Sequence, residues 1–70
     1  MAEIRCPMTG VIARIMVEIG DTVTIGDTVA VMESMKMEIL IQADTGGRIK
    51  SIHASVDETV EEGDLLFECE

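Results

Sequence analysis

A chain of 70 residues has room for one domain and a thin core, but hardly for a substrate cleft with its own catalytic set. A net charge of −9 and a single aromatic residue leave neither a basic patch nor a stacking platform, which argues against a nucleic-acid role and equally against an anionic membrane surface. Seven Val, nine Ile and six Thr stand against three Leu, so residues 1–70 are expected to form an all-β domain, with six Gly and one Pro as turn punctuation.

In chain order, residues 3–6 form a first strand and residues 11–17 a second. Gly20-Asp21 is a turn, Thr22-Val23 a very short strand, and Gly26-Asp27 a second turn leading into a strand at 28–33. Residues 38–42 supply another strand. The pattern then recurs at 49–53, 59–60 and 65–69.

Residues 30–40 are ambiguous, because Met, Glu, Lys and Leu favour helix and Val31, Met35 and Ile39 lie four apart. No cap flanks the segment, and no partner helix exists for it. A period-2 reading serves as well: Val29, Val31, Met35, Met37, Ile39 and Ile41 share one parity, and Lys36 has the other. A β-hairpin with its tip at or beside Met35-Lys36 is therefore expected.

The chain also repeats itself with an offset of 37 residues. Gly10 lies over Gly47, Ile12 over Ile49, Ile15 over Ile52, Thr22-Val23 over Thr59-Val60, and Gly26-Asp27 over Gly63-Asp64. Two copies of about 30 residues are too few for a solenoid and suit one barrel or sandwich with pseudo-two-fold symmetry. The symmetry maps the residues flanking the hairpin tip onto Met1 and Glu70, so the termini are expected side by side, opposite Lys36. If hairpin partners sum to 71, residue 69 faces residue 2, and Cys6 lies roughly 13 Å farther along. That is too far for a disulfide, so Cys6 and Cys69 are expected to be free thiols. They show no metal-ligand spacing.

Glu33-Ser-Met-Lys-Met-Glu38 is the segment that carries chemistry. With Pro7-Met8-Thr9-Gly10, the Gly-Asp-Thr-Val turns at 20–23 and 26–29, Ala43-Asp44, Gly46-Gly47 and Glu62-Gly63-Asp64, it resembles the biotinyl/lipoyl attachment domains, specifically the biotin carboxyl carrier proteins. The resemblance covers nearly the whole chain. It implies a flattened β-barrel, or barrel-sandwich hybrid, of two antiparallel sheets, with biotin covalently attached to Lys36. Lipoyl domains typically place Asp-Lys-Ala where Met-Lys-Met stands here. Ser34 replaces an Ala common in the family. Asp57-Glu58 replaces the Gly-Asp expected in the second copy, which points to a differently shaped turn. No insertion between Val11 and Asp21 can form the protruding thumb of some acetyl-CoA carboxylase carriers.

The chemistry requires a lysine on a long flexible stem that can enter a ligase site and attack an activated acyl-adenylate. The resemblance implies three partners: a biotin protein ligase, a biotin carboxylase and a carboxyltransferase. The chain itself would be a carrier and not a catalyst, a monomer in isolation, with no nucleic-acid or membrane partner. Met35 and Met37 either brace the hairpin or serve ligase recognition. Glu33 and Glu38 are either solvated or a charge signal, and lack the companions of a catalytic carboxylate pair. His53 reads as half-buried and structural, and Lys50 as solvated surface. A lipoyl carrier and an unmodified structural module are the rival readings. No apolar run is long enough to span a bilayer and no basic-then-apolar leader is present, so a cytoplasmic location is expected. The start at Met1 favours a free-standing chain.

Overall fold

The computed structural model describes residues 2–70 and contains eight strands. They are β1 (Ala2–Arg5), β2 (Gly10–Ile15), β3 (Thr22–Val23), β4 (Thr28–Ser34), β5 (Met37–Gln42), β6 (Gly47–Ile52), β7 (Thr59–Val60) and β8 (Leu65–Cys69). Two antiparallel four-stranded sheets result, ordered β1-β8-β6-β3 and β5-β4-β2-β7. This is the all-β, two-sheet flattened barrel expected from the sequence. Adding 37 to the residues of β2 and β3 gives β6 and β7, and adding it to Thr28–Met32 of β4 gives β8, so one sheet order maps onto the other.

The symmetry extends to irregularities. The bulge between Ile12 and Arg14 in the β2–β4 pair recurs between Ile49 and Ser51 in β6–β8. The shift between Thr28 and Ala30 against β5 recurs where Arg5 pairs with Leu65 and Ile4 with Phe67. The turns repeat too. The Asp21 carboxylate accepts from the Glu18 amide at 2.8 Å, and the Glu58 carboxylate accepts from the Ser55 amide at 3.1 Å. Asp57 takes the left-handed conformation (φ 71°) that Gly20 holds in the first copy (φ 97°). The expectation of a differently shaped turn is therefore corrected. The longer Glu58 side chain replaces the aspartate bond, and aspartate is among the few non-glycine residues that accept positive φ.

Between the sheets lies one core, in which Ile4, Ile12, Met32, Ile41, Ile49, Leu66, Phe67 and Cys69 are buried. Symmetry-related positions exchange volume: Ala30 stands opposite Phe67 in the repeat, and Met32 opposite Cys69. A large residue from one copy and a small one from the other fill the space around the pseudo-axis, as dense packing requires. Both cysteines are buried free thiols. Cys69 pairs with Ala2 across β1–β8, in the register expected from the hairpin.

The hairpin register is also as expected: Ser34 pairs with Met37, Glu33 with Glu38, Met32 with Ile39 and Val31 with Leu40, each pair summing to 71. The single-parity face is not. Residues directly opposite share a face, and an odd sum reverses parity across the tip. Ala30 and Met32 therefore enter the core from β4, while Ile39 and Ile41 pack inward from β5. Val31 lies beside Leu40 and Arg14 and outside that core cluster.

β5 runs from Met37 away from the tip. The link at 43–46 then brings the chain to Gly47, where an added Cβ would stand 2.6 Å from the Glu70 carbonyl oxygen. Glu70 is thus at the end remote from Lys36 in a molecule 32 × 19 × 18 Å across. The expected contact of Met1 with Glu70 lies outside the described residues, although the adjoining Ala2 and Cys69 pair.

Candidate functional site: the lysine hairpin

Ser34 and Met37 form the last pair of the β4–β5 ladder, leaving Met35 and Lys36 as a two-residue turn. Both have positive φ, 52° and 65°, as a type I′ turn demands. Neither is Gly, Asn or Asp, the residues this turn prefers. Left-handed backbone costs an ordinary residue roughly 1–2 kcal/mol, so the rest of the hairpin must hold the turn in place.

Two contacts anchor it. The Ser34 hydroxyl donates to the Thr9 carbonyl oxygen at 2.8 Å. Gly10 sits so close to the hairpin that a Cβ there would meet the Glu33 carbonyl oxygen and Met32 Cε, each at 2.6 Å. The Pro7–Gly10 segment thus braces one arm of the hairpin, a role that the repeat alone did not reveal.

Lys36 is exposed, and among the described residues no ion pair claims its ammonium. Met35 is 87% exposed and Met37 56%, so neither fills the core. Met35 lies in the turn and Met37 opens β5, so both present much of their surface to solvent. Glu33 and Glu38 are exposed and face one another across the ladder. Like charges opposed in this way destabilise a pair of strands, and here they concentrate negative charge just behind Lys36.

His53 is more exposed than expected, with 43% of its side chain accessible. Its Nε2 lies 2.9 Å from Glu68 Oε1 and 3.1 Å from Ser51 Oγ, while Ser51 donates to the same Glu68 oxygen at 2.8 Å. One ring nitrogen serves both neighbours, so no serine–histidine–carboxylate relay forms. The cluster is a polar brace on the second sheet. His53, followed by Ser51, holds the Glu68 carboxyl below its usual range. Sequence reading missed this cluster, since Ser51 meets Glu68 only because of the β6–β8 bulge. Lys50 is exposed. Among the described residues, no group of three or more His, Cys, Asp or Glu could hold a metal ion.

A lysine on a solvent-facing two-residue tip is the display that a swinging-arm carrier domain requires. A sequence model of the family described as "Biotin-requiring enzyme" matches residues 2–69, and the chain belongs to that biotin/lipoyl attachment family. It is 43% identical over 67 residues to the mitochondrial propionyl-CoA carboxylase alpha chain of Homo sapiens, covering 96% of this chain and 9% of that one. It is also 43% identical over 61 residues to a biotin/lipoyl attachment protein of Bacillus subtilis (strain 168), covering 87% of this chain and 84% of that one. Among solved structures, the Kluyveromyces lactis urea carboxylase superposes with a TM-score of 0.87 at 30% identity, over 94% of this chain and 6% of the other. The prosthetic group implied is covalently bound biotin. The residues fit it, because an exposed lysine amine on a narrow tip can be enclosed by a second protein without unfolding the carrier.

Proposed function

We propose that residues 1–70 form one biotinyl domain whose Lys36 is the biotinylated residue, and that it carries a carboxyl group between a biotin carboxylase and a carboxyltransferase. The observation that carries this reading is the placement of Lys36: exposed, at the turn of the β4–β5 hairpin, at the end of the molecule opposite Glu70. In a ligase site the deprotonated Lys36 Nζ attacks the acyl carbon of biotinyl-adenylate. A C–N amide bond forms, the acyl–phosphate bond to AMP breaks, a proton leaves the nitrogen, and a neutral amide stands where the ammonium was. Bound biotin supplies the ureido nitrogen that takes up and releases the carboxyl group.

The domain contributes tethering. A flexible arm on a narrow tip presents the same group to two separate sites at high effective concentration. Met35 and Met37 offer soft apolar contacts to a ligase, and Glu33 and Glu38 offer charge. The partners in this reading are a biotin protein ligase, a biotin carboxylase and a carboxyltransferase, with the isolated domain monomeric and cytoplasmic. The family match and the carboxylase relatives support biotin over a lipoyl group.

The test is intact mass after incubation with biotin, ATP and a biotin protein ligase. One biotinyl increment is expected on the native chain and none on Lys36→Arg. A lipoyl adduct on protein from cells holding both ligases, or an increment that survives Lys36→Arg, would overturn the assignment.

A further inference from the structure

Beside the hairpin tip lies a shallow depression of about 410 Å³, lined by Val11, Ala13, Glu33, Met35, Lys36 and Asp57, with Ile12 beneath. Its volume falls in the roughly 300–1,000 Å³ range of small-molecule sites. Tertiary structure creates it. The Ser55–Glu58 turn folds over β2, where the Asp57 amide donates to the Ile12 carbonyl at 2.7 Å and the Ile12 amide donates to the Glu58 carbonyl at 2.9 Å. That brings Asp57 and Glu33 together in the lining of the depression.

The floor is not dictated by the fold. In the second copy, the positions of Val11 and Ala13 are occupied by Arg48 and Lys50, and that of Asp57 in the first copy by Gly20. Only the half of the molecule that bears Lys36 combines an apolar floor with two carboxylates.

We infer that this depression is a resting site for the biotinyl group carried on Lys36, with the apolar side of the bicyclic ring on Val11, Ala13 and Met35 and the two ureido N–H groups donating to both Glu33 and Asp57. The inference rests on the biotinyl-lysine reading and goes beyond it, to where the arm sits between visits to its partners. The chemistry matches. A ureido group offers two N–H donors, carboxylates only accept, and bonds to an ionised acceptor are the stronger kind. The tether permits it, since Lys36 borders the depression and its flexible arm can fold back to lay the ring there. A short flexible tether sets an effective concentration in the millimolar range, so even a millimolar intrinsic affinity leaves the ring docked about half the time. Such docking is weak enough for a partner's site to displace.

The experiment compares amide and methyl NMR spectra of the full chain before and after enzymatic biotinylation, with completeness verified by intact mass. Shift changes at Val11, Ala13 and Asp57 are expected in addition to those at 35–37. Asp57→Gly installs the residue that the first copy uses in the same backbone conformation, so the fold is retained while one acceptor is lost. In that variant the changes at Val11 and Ala13 should shrink. Capture of the biotinylated chain by avidin should also quicken, by up to about two-fold if half of the arms were docked. Complete biotinylation with shifts confined to 35–37, or an Asp57→Gly variant with unchanged shifts and unchanged avidin capture, would overturn the resting site and leave the carrier reading intact. Absence of any mass increment would overturn both.

Discussion

The Ser34 hydroxyl and the Thr9 carbonyl oxygen lie 2.8 Å apart, joining the arm of the lysine hairpin to the loop that precedes β2. Ser34→Ala should lower stability by about 0.5–1 kcal/mol, the usual worth of one such bond. It should also speed hydrogen exchange at the amides of Met35, Lys36 and Met37. Urea denaturation and native-state exchange measure the two effects separately. Unchanged exchange at the tip would show that the bond does not restrain the turn.

Gly10 is held to its identity by space. A methyl there would meet the Glu33 carbonyl oxygen, which cannot move without disturbing the pairing of Glu33 with Glu38 and Val11. Gly10→Ala should cost about 1–3 kcal/mol, in the range of overpacked sites. It should also slow biotin transfer to Lys36 at saturating ligase. Gly46→Ala is the control, since its nearest such contact is an ordinary 3.6 Å.

The tip is strained by its residues. Replacing Met35 with Asn, which accepts positive φ, should stabilise the domain by about 1 kcal/mol. The same change removes an 87% exposed methionine, so ligase efficiency should fall while thermal stability rises. A parallel rise in both would show that Met35 plays no part in recognition.

The Glu68 cluster sets part of the acid limb of stability. Bonding to His53 and then Ser51 lowers the Glu68 pKa in the folded state. Its contribution is therefore present above the unfolded carboxylate range, about 4.3, and is lost as pH falls through the lower folded value. Native protein should exceed Glu68→Gln in stability near neutral pH, and the two should converge in acid. Denaturation midpoints from neutral pH downward test this, and a constant gap would refute it.

Cys6 donates its thiol to the Met8 carbonyl at 2.9 Å, and burial raises the pKa of both Cys6 and Cys69. At neutral pH both should alkylate slowly in the native protein and rapidly in urea, because the thiolate is the reactive form. Mass spectrometry of the alkylated protein against urea concentration should therefore follow the unfolding curve. Fast labelling of Cys69 in native buffer would place it at the surface.

Much of this molecule is legible from one period. A hairpin tip at Met35-Lys36 gives a register summing to 71, because antiparallel pairing turns a turn position into a full register, and the 37-residue repeat carries it to the Ala2–Cys69 pairing and the separation of the two thiols. The exposed place of Lys36 at the hairpin tip is legible as well, because the strand pattern on either side leaves Met35 and Lys36 as the turn. What the repeat does not carry is anything set by a bulge or a crossing chain. The bulge in β6–β8 aligns Ser51 with Glu68, and no local pattern announces it. Parity across the hairpin misled for a similar reason: two strands of one sheet share a face by partner, not by residue number.

Sequence alone therefore determined the all-β class, the hairpin register and the place of Lys36 at the exposed tip, all of which follow from residue composition, local periodicity, turn chemistry and symmetry. Tertiary structure decided how the lysine is held and what lies beside it. The brace from Thr9 and Gly10, the left-handed strain at Met35 and Lys36, and the depression closed by Asp57 each join residues 20 or more positions apart, or depend on backbone angles that residue identity does not dictate. Such contacts arise only when two sheets pack and their turns fold over one another, so they belong to the assembled chain and not to any segment of it.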